Sequence, residues 1–198
     1  YIRSPRHDMQ LLDEMRKVLE RSDARKILFV LHCYGSHFSY HQRYPREFAH
    51  FRPDDDVAIA PQHRQTLVNA YDNSIRYTDH FLAEMMSSLD ETASALIYCA
   101  DHGEDLIDDS RERFLHASPT TTAYQLYVAS LAWFSEDYKR YFPEKVAAAQ
   151  DNETAPATSH AIFHTMADMA SIRGRYLSTK TGLKAEDFEV FRRYGIEM

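Results

Sequence analysis

The stretch ALIYCADHGED at residues 95–105 joins a short apolar run directly to an acid, an imidazole, a glycine and two further acids. A short apolar run of this kind predicts a buried strand. Gly103 would allow the chain to turn where that strand ends. In open α/β sheets, ligands bind at the carboxyl ends of the strands. The stretch therefore predicts a sheet and a site at one edge of it.

Apolar runs before and after this stretch predict two further strands. KILFVLH at residues 26–32 indicates a central strand buried on both faces, and QLYVASLAWF at 125–134 indicates a third strand. Helical periodicity predicts helices over about 9–21, with Asp8 as the N-cap, and over 64–89. This alternation predicts an α/β fold, a mostly parallel sheet with helices on both faces.

Two polar stretches complete the predicted organisation. Residues 33–63 contain three prolines and many aromatic side chains, and the segment is far longer than the usual connection of about 4–6 residues. Its aromatic side chains either pack the segment onto the body of the domain or form a wall for a lipid or sugar substrate. DNETAPATS at 151–159 predicts a loop that ends in a helix cap, and residues 160–172 predict the helix that follows.

Composition limits the class of protein. With 198 residues and 44% hydrophobic content, the chain suits one globular domain. A formal net charge of −7 argues against a general nucleic-acid binder, because no stripe of lysine and arginine is present. The longest apolar runs fall short of the roughly 20 residues that cross a bilayer. Because the first residue is Tyr1 and no signal pattern follows, we expect the chain to be a piece of a longer protein.

The two cysteines indicate neither a disulfide-stabilised fold nor a cysteine metal site. Cys33 and Cys99 each lie beside a predicted strand end. Two cysteines make neither a disulfide framework nor a thiolate metal cluster. We expect buried thiols, because cysteine is among the residue types most often buried.

Side chains suited to metal and phosphoryl chemistry cluster at the predicted strand ends. Asp101 and His102 offer a carboxylate oxygen and an imidazole nitrogen, which zinc accepts as ligands. His37 follows the first strand after a Gly-Ser turn, and His116 lies between the second and third strands. Each of these histidines alone is more often a surface residue than a ligand. Their joint placement favours a metal site at this edge.

Other polar side chains have simpler interpretations. We expect a solvated acidic loop, with metal ligation as the minor alternative, from Glu104, Asp105, Asp108 and Asp109. We interpret as surface or satisfied helix residues the histidines at 41, 50, 63, 80 and 164.

Several segments together resemble a known family. In chain order they are LHCYGSHFSYHQRYPREFAHFRP, YDNSIRYTDHFLAEMM, YCADHGEDL, RFLHASP and SHAIFHTMADM. Their order and spacing resemble the catalytic domain of the phosphoethanolamine transferases, which are sulfatase-like members of the alkaline phosphatase superfamily. The resemblance extends from about Asp8 to Ile172. It implies that residues 1–198 form a single, partial sulfatase-like domain that lacks its N-terminal part.

The resemblance implies a bacterial inner-membrane enzyme with a zinc-dependent catalytic domain in the periplasm. Such an enzyme takes phosphoethanolamine from phosphatidylethanolamine onto a threonine and passes it to lipid A or a core sugar of lipopolysaccharide. Asp101 and His102 match zinc ligands of the family. His37 and His116 match histidines that bind the phosphoryl group or a second zinc. A membrane domain preceding this chain is also implied.

Two departures from the family pattern keep alternatives open. The family's threonine nucleophile and a further acidic metal ligand would lie upstream of this chain, so we expect the isolated chain to be inactive. Many relatives also carry several disulfides, whereas this chain has two cysteines. The alternatives are a sulfatase or phosphoglycerol transferase of the same superfamily, or a non-catalytic remnant that serves as a binding module.

Overall fold

The computed structural model of the chain describes residues 7–116 and 120–174. These residues form helices and strands in the order α1 (Met9–Arg21), α2 (Arg64–Leu89), β1 (Ala95–Cys99), β2 (Asp105–Leu106), β3 (Phe114–Leu115), α3 (Ala123–Leu126), β4 (Ser130–Phe134), α4 (Glu136–Tyr141), α5 (Pro143–Asp151) and α6 (His160–Met169). The long segment before α2 adds single 3-10 turns at Tyr40–Gln42, Arg46–Phe48 and Pro61–His63. The predicted α/β class is confirmed.

The chain divides into two compact units. The first, called the histidine unit here, contains residues 7–88, 102–116 and 120–127. The second, called the β1–β4 unit, contains residues 89–101 and 128–174. The predicted metal ligand His102 and the predicted phosphoryl-binding histidines His37 and His116 all belong to the first unit, so one unit carries most of the predicted site.

Helix α2 is the longest element of the histidine unit, with 26 residues. Its buried side chains recur at helical spacing, as predicted, and include Leu67, Ala70, Tyr77, Phe81 and Met85. Helix α1 buries Leu12 and Met15, and the Arg16 side chain bonds Glu84 and Ser88 of α2. No helix in the described part of the chain is both long and apolar enough to cross a bilayer.

Aromatic side chains hold the long segment at 33–63 against α2 and the β2–β3 hairpin. The Tyr40 ring is buried and meets the Tyr71 ring of α2 edge to face, with 5.0 Å between centroids. Phe38 meets Phe114 of β3 in the same way at 5.4 Å. Such pairs add stability beyond the apolar area that they bury. These contacts support the packing role foreseen for the aromatic residues of this segment.

A buried asparagine fixes the same segment by hydrogen bonds. The Asn73 side chain of α2 is fully buried, and its carbonyl accepts the backbone N–H groups of His50 and Phe51, both at 2.9 Å. Its amide donates to the Phe51 carbonyl at 2.9 Å. Beside it, the Tyr44 hydroxyl donates to the Asp54 carboxylate at 2.7 Å. Asn73 therefore ties the backbone at His50 and Phe51 to a fully buried position of α2.

In the β1–β4 unit, two strands pair antiparallel, with Ala95 opposite Phe134 and Cys99 opposite Ser130. The core beside them consists of Phe134, Tyr138, Ala148 and Met169. The Tyr138 hydroxyl donates to the backbone carbonyl of Met169 at 2.6 Å, which ties α4 to the end of α6. Helix α6 confirms the helix predicted after residue 159, whereas α4 and α5 were not predicted.

Ser135 provides a stability test within the β1–β4 unit. Its buried hydroxyl caps α4 by accepting from Tyr138 N, accepts from Ser94 N at 3.0 Å and donates to Thr92 O at 2.6 Å. We expect Ser135→Ala to lower the free energy of unfolding by about 2 kcal/mol, because the helix cap and the hydrogen bonds to Ser94 N and Thr92 O are lost. Ser159→Ala is the matched control, since Ser159 begins α6 without a side-chain cap bond. Urea unfolding of the purified variants would measure both, and equal losses would contradict the assigned role of Ser135.

The strand predicted at residues 26–32 does not form. This segment belongs to no ladder, and Leu28 and Val30 are 66% and 78% exposed. A strand requires a neighbour to pair its backbone groups, and within the described residues none pairs with this segment. The prediction of a central, buried strand is therefore wrong for this chain as the structure describes it.

Strand direction and two further details also differ from the predictions. Both described strand pairs, β1–β4 and β2–β3, are antiparallel, whereas a mostly parallel sheet was predicted. The direction could not be predicted, because an apolar run has the same pattern in either direction. Mixed α/β sheets commonly contain antiparallel pairs. The third predicted strand is shorter than 125–134, since α3 occupies its beginning. Asp8 does not cap α1 through its side chain; its carboxylate instead accepts the backbone N–H groups of Tyr34 and Gly35.

Both cysteines are free thiols and partly buried, in agreement with the prediction. Burial raises the pKa of Cys33 to about 12 and also raises the pKa of Cys99. A thiol with a raised pKa holds little thiolate at neutral pH, so neither side chain is poised as a nucleophile.

Candidate metal and phosphoryl site

Three side chains of the histidine unit bring metal-ligating atoms together. His102, Glu104 and His116 each offer one ligand atom, and these atoms lie within 4.8 Å of one another. Glu104 immediately precedes β2, and His116 immediately follows β3. In the antiparallel register of this hairpin Asp105 lies opposite Leu115, so Glu104 and His116 occupy neighbouring positions. A two-residue ladder thus joins groups that are 12 positions apart in the sequence.

Hydrogen bonds orient the two imidazoles. His102 Nδ1 donates to the backbone carbonyl of Gly103 at 3.0 Å, and His116 Nδ1 lies 3.1 Å from Glu104 Oε1. When Nδ1 carries the proton, Nε2 carries the lone pair that can ligate a metal. Metal-ligating histidines usually have such a partner on the other ring nitrogen. The two ring centroids are 3.7 Å apart, so the imidazoles lie side by side.

Glu104 is the buried carboxylate of this group. Burial raises its pKa, and the hydrogen bond from His116 and the charges of His116, His102 and His37 oppose that rise. Its Oε2 atom is buried and has no hydrogen-bond partner, and the buried Tyr40 hydroxyl is also unpartnered. A buried carboxylate oxygen without a partner is costly. A cation between Glu104 and the two imidazoles would remove that cost, so the donor set and its orphaned oxygen fit a divalent metal.

His37 lies on a tight turn of the same unit. Gly35 has a φ of +54°, a conformation that glycine adopts without strain, and the backbone N–H of His37 bonds the Tyr34 carbonyl at 3.2 Å. Asp8 holds this turn by accepting from Tyr34 N at 2.9 Å and from Gly35 N at 2.8 Å. The charge of His37 lowers the pKa of Glu104, so His37 belongs to the electrostatic surroundings of that carboxylate.

The acidic turn is not the solvated loop that was expected. Glu104 and Asp105 are buried, and Asp105 accepts from Thr122 Oγ1 at 2.8 Å and from Gln125 Nε2 at 2.5 Å. The expectation of solvation is therefore wrong for these two residues, because the β2–β3 hairpin and α3 enclose them. The spacing His-x-Glu could have identified Glu104, since alternate residues of an extended chain share one face.

The remaining acids of the turn form ion pairs. Asp108 accepts from Arg64 at 3.0 Å and from the backbone N–H of Leu106 at 2.7 Å. Asp109 bonds the guanidinium of Arg111, which lowers the pKa of Asp109 to about 2. These contacts give Asp108 and Asp109 structural partners within the turn.

Asp101, the other predicted metal ligand, is exposed and is the last residue of the β1–β4 unit before the chain continues into His102. Its role as a ligand remains a prediction.

Gly103 is needed because a side chain at this position would collide with the backbone of α3, and not because of a positive φ. A Cβ atom there would lie 2.0 Å from the Tyr124 carbonyl oxygen, and the Gly103 N–H donates to Gln125 O at 2.8 Å. Close packing of α3 thus holds the segment between His102 and Glu104.

An open cavity of about 420 Å³ adjoins the buried carboxylate. Three tyrosines, two acids and three smaller residues line it: Tyr71, Gly103, Glu104, Leu106, Asp108, Ala123, Tyr124 and Tyr127. Tyr124 and Tyr127 are 45% and 63% exposed, so a ligand can reach their rings from solvent. Glu104 is the residue shared by the cavity and the group with His102 and His116.

Comparison with known proteins identifies relatives of this chain. The Sulfatase family profile matches residues 4–172. The Kdo(2)-lipid A phosphoethanolamine 7''-transferase of Escherichia coli K12 is 38% identical over 136 residues, which cover 68% of this chain and 24% of the relative. The chain thus spans about a quarter of the length of that protein.

Solved structures agree with the sequence comparison. The integral membrane lipooligosaccharide phosphoethanolamine transferase A (EptA) of Neisseria meningitidis superimposes with a TM-score of 0.81 at 28% identity, over 90% of this chain and 34% of that protein. The zinc complex of the C-terminal periplasmic domain of EptC from E. coli has the same fold, with a TM-score of 0.74 at 21% identity, over 95% of this chain and 54% of that domain. The chain therefore belongs to the sulfatase family, and its resemblance is to the sulfatase-like domains of phosphoethanolamine transferases.

Proposed function

We propose that this chain is the C-terminal part of the catalytic domain of a zinc-dependent phosphoethanolamine transferase. The donor would be phosphatidylethanolamine, and the acceptor would be lipid A or a core sugar of lipopolysaccharide. The observation that carries the proposal is the group formed by His102, Glu104 and His116, which suits a metal and lies near His37. The similarity to enzymes named for this reaction supports the same assignment.

The metal would be held by His102 and Glu104, with Asp101 as a further ligand in the proposed full site. Imidazole and carboxylate are ligands that zinc prefers, and the orphaned Glu104 Oε2 supplies an acceptor without a competing bond. When bound, zinc would lower the pKa of an attacking hydroxyl and neutralise phosphoryl oxygens. The Gly103 carbonyl would keep the His102 ring in the orientation that ligation requires.

His116 and His37 would act on the phosphoryl group. Glu104 Oε1 lies 3.1 Å from His116 Nδ1 and fixes the ring, which leaves Nε2 as the nitrogen that would meet the phosphoryl group. His37 Nδ1 bonds the Phe38 carbonyl at 2.6 Å, so its Nε2 atom is the one directed away from the backbone. Donors fixed in advance stabilise the negative charge that spreads over the phosphoryl oxygens in the transition state. His116 is also an alternative metal ligand, as its place in the group of three indicates.

The proposal assigns the remaining machinery to segments outside this chain. A threonine nucleophile, a further acidic metal ligand and a membrane domain would come from the rest of the protein, as the family resemblance implies. The catalytic domain would then lie in the periplasm, beside the inner-membrane leaflet that supplies the donor lipid. The isolated chain of 198 residues would be inactive, because the group that attacks phosphorus is elsewhere.

A transfer assay tests this proposal. The longer protein that contains this chain would be incubated with headgroup-labelled phosphatidylethanolamine and lipopolysaccharide, with and without a zinc chelator. We expect label in lipopolysaccharide, loss of transfer on chelation and recovery on adding zinc, whereas the isolated chain should show no turnover. Sulfate release from an aryl sulfate, without headgroup transfer, would instead assign the protein to the sulfatases. Zinc binding without either reaction would indicate a binding module.

A further inference from the structure

The cavity beside Glu104 has the chemistry of a site for an organic cation. Three of its lining residues are tyrosines, and its charged side chains, Glu104 and Asp108, are both acidic. Aromatic faces attract ammonium groups, and this attraction increases when the cation is partly desolvated. Arg64 balances the charge of Asp108, and a bound metal would balance Glu104, so the carboxylates supply little net charge to the cavity. The three tyrosine rings therefore carry the preference of the lining for a cation over an uncharged group.

The position of the cavity relates it to the phosphoryl site. Glu104 lines the cavity and also contacts His116 at 3.1 Å, so both sites share one side chain. In phosphoethanolamine only two carbon atoms separate the ester oxygen from the nitrogen. A phosphoryl group held by His116 and His37 would therefore place its ammonium group within reach of the cavity. A glycerol headgroup would bring no charge to the same place.

We propose that the cavity lined by Tyr71, Tyr124 and Tyr127 binds the ammonium group of the donor and selects phosphoethanolamine over uncharged headgroups. This inference rests on the proposed function for the identity of the donor. We assign the selectivity to Tyr124 and Tyr127, because they are lining tyrosines whose side chains are exposed to solvent. Tyr71 contributes to the inner wall, where its ring also packs against Tyr40.

Binding measurements test the cavity separately from catalysis. The zinc-loaded longer protein would be titrated by calorimetry with O-phosphoethanolamine and with glycerol 3-phosphate, which shares the phosphate and lacks the ammonium. We expect the double variant Tyr124→Ala/Tyr127→Ala to bind O-phosphoethanolamine about tenfold more weakly. Its affinity for glycerol 3-phosphate should stay within about twofold of the original value. Both side chains are exposed, so we expect the fold to tolerate their removal.

A conservative variant separates the rings from the hydroxyl groups. Tyr124→Phe/Tyr127→Phe keeps both aromatic faces and should retain the preference for O-phosphoethanolamine. Equal weakening of both ligands in the alanine variant, or unchanged affinity for both, would overturn the proposal. Selective binding in a protein that transfers no headgroup would refute the reaction and leave the cation site standing. Transfer with selectivity intact in the alanine variant would refute the cation site alone.

Discussion

Replacing His102 with alanine is expected to lower zinc affinity by at least about 100-fold and to reduce headgroup transfer by the longer protein to background. Loss of a residue that merely orients a ligand costs about 10–100-fold in metal affinity, and loss of a ligand should cost more. Without the His102 ligand, the proposed zinc would be held less firmly beside Glu104, whose buried Oε2 atom has no hydrogen-bond partner. Zinc competition with a chelating dye, together with the transfer assay, would measure both effects.

His160→Ala is the matched control for this experiment. His160 is exposed at the first position of α6, in the β1–β4 unit, and is separate from the group formed by His102, Glu104 and His116. Its replacement should leave zinc affinity and transfer within about twofold of the original values, as for other surface substitutions. Full transfer by the His102 variant would contradict the site assigned here, whereas equal losses in both variants would indicate that general instability is responsible.

Replacing Asn73 with alanine is expected to lower the free energy of unfolding by about 4 kcal/mol. The substitution removes the hydrogen bonds to the N–H groups of His50 and Phe51 and to the Phe51 carbonyl, each worth about 0.5–1.5 kcal/mol net. It also opens a space in a position that is fully buried. Denaturant unfolding followed by fluorescence would measure the loss. Because the segment at 33–63 carries His37, we expect transfer to fall as well.

Asp79→Ala on the same helix provides the comparison. Asp79 is exposed and six residues from Asn73, so its removal tests helix propensity without touching the anchored segment. We expect a change within about 0.5 kcal/mol, as for most surface substitutions. If the Asn73 variant lost no more stability than the Asp79 variant, the hydrogen bonds at 50 and 51 would not anchor the segment.

The histidines of the site were identifiable from the sequence because they follow apolar runs and turn signals. His37, His102 and His116 each appear beside such a signal, and the structure places all three in one unit. Glu104 was misjudged, because four acids in a short stretch are usually solvated. Its burial depends on the β2–β3 ladder and on α3, and a two-residue ladder leaves no periodicity to detect.

The sequence by itself determined the α/β class, the long helix α2, the strand β1 and the family, because helical periodicity, apolar runs and ordered motifs are local properties. The tertiary structure alone decided the antiparallel pairing, the exposure of residues 26–32 and the junction of Glu104 with His116. Each of these three features depends on which segment, distant in the sequence, packs beside the residues concerned. A strand needs a partner, and a carboxylate is buried beside imidazoles only where the fold brings distant segments together.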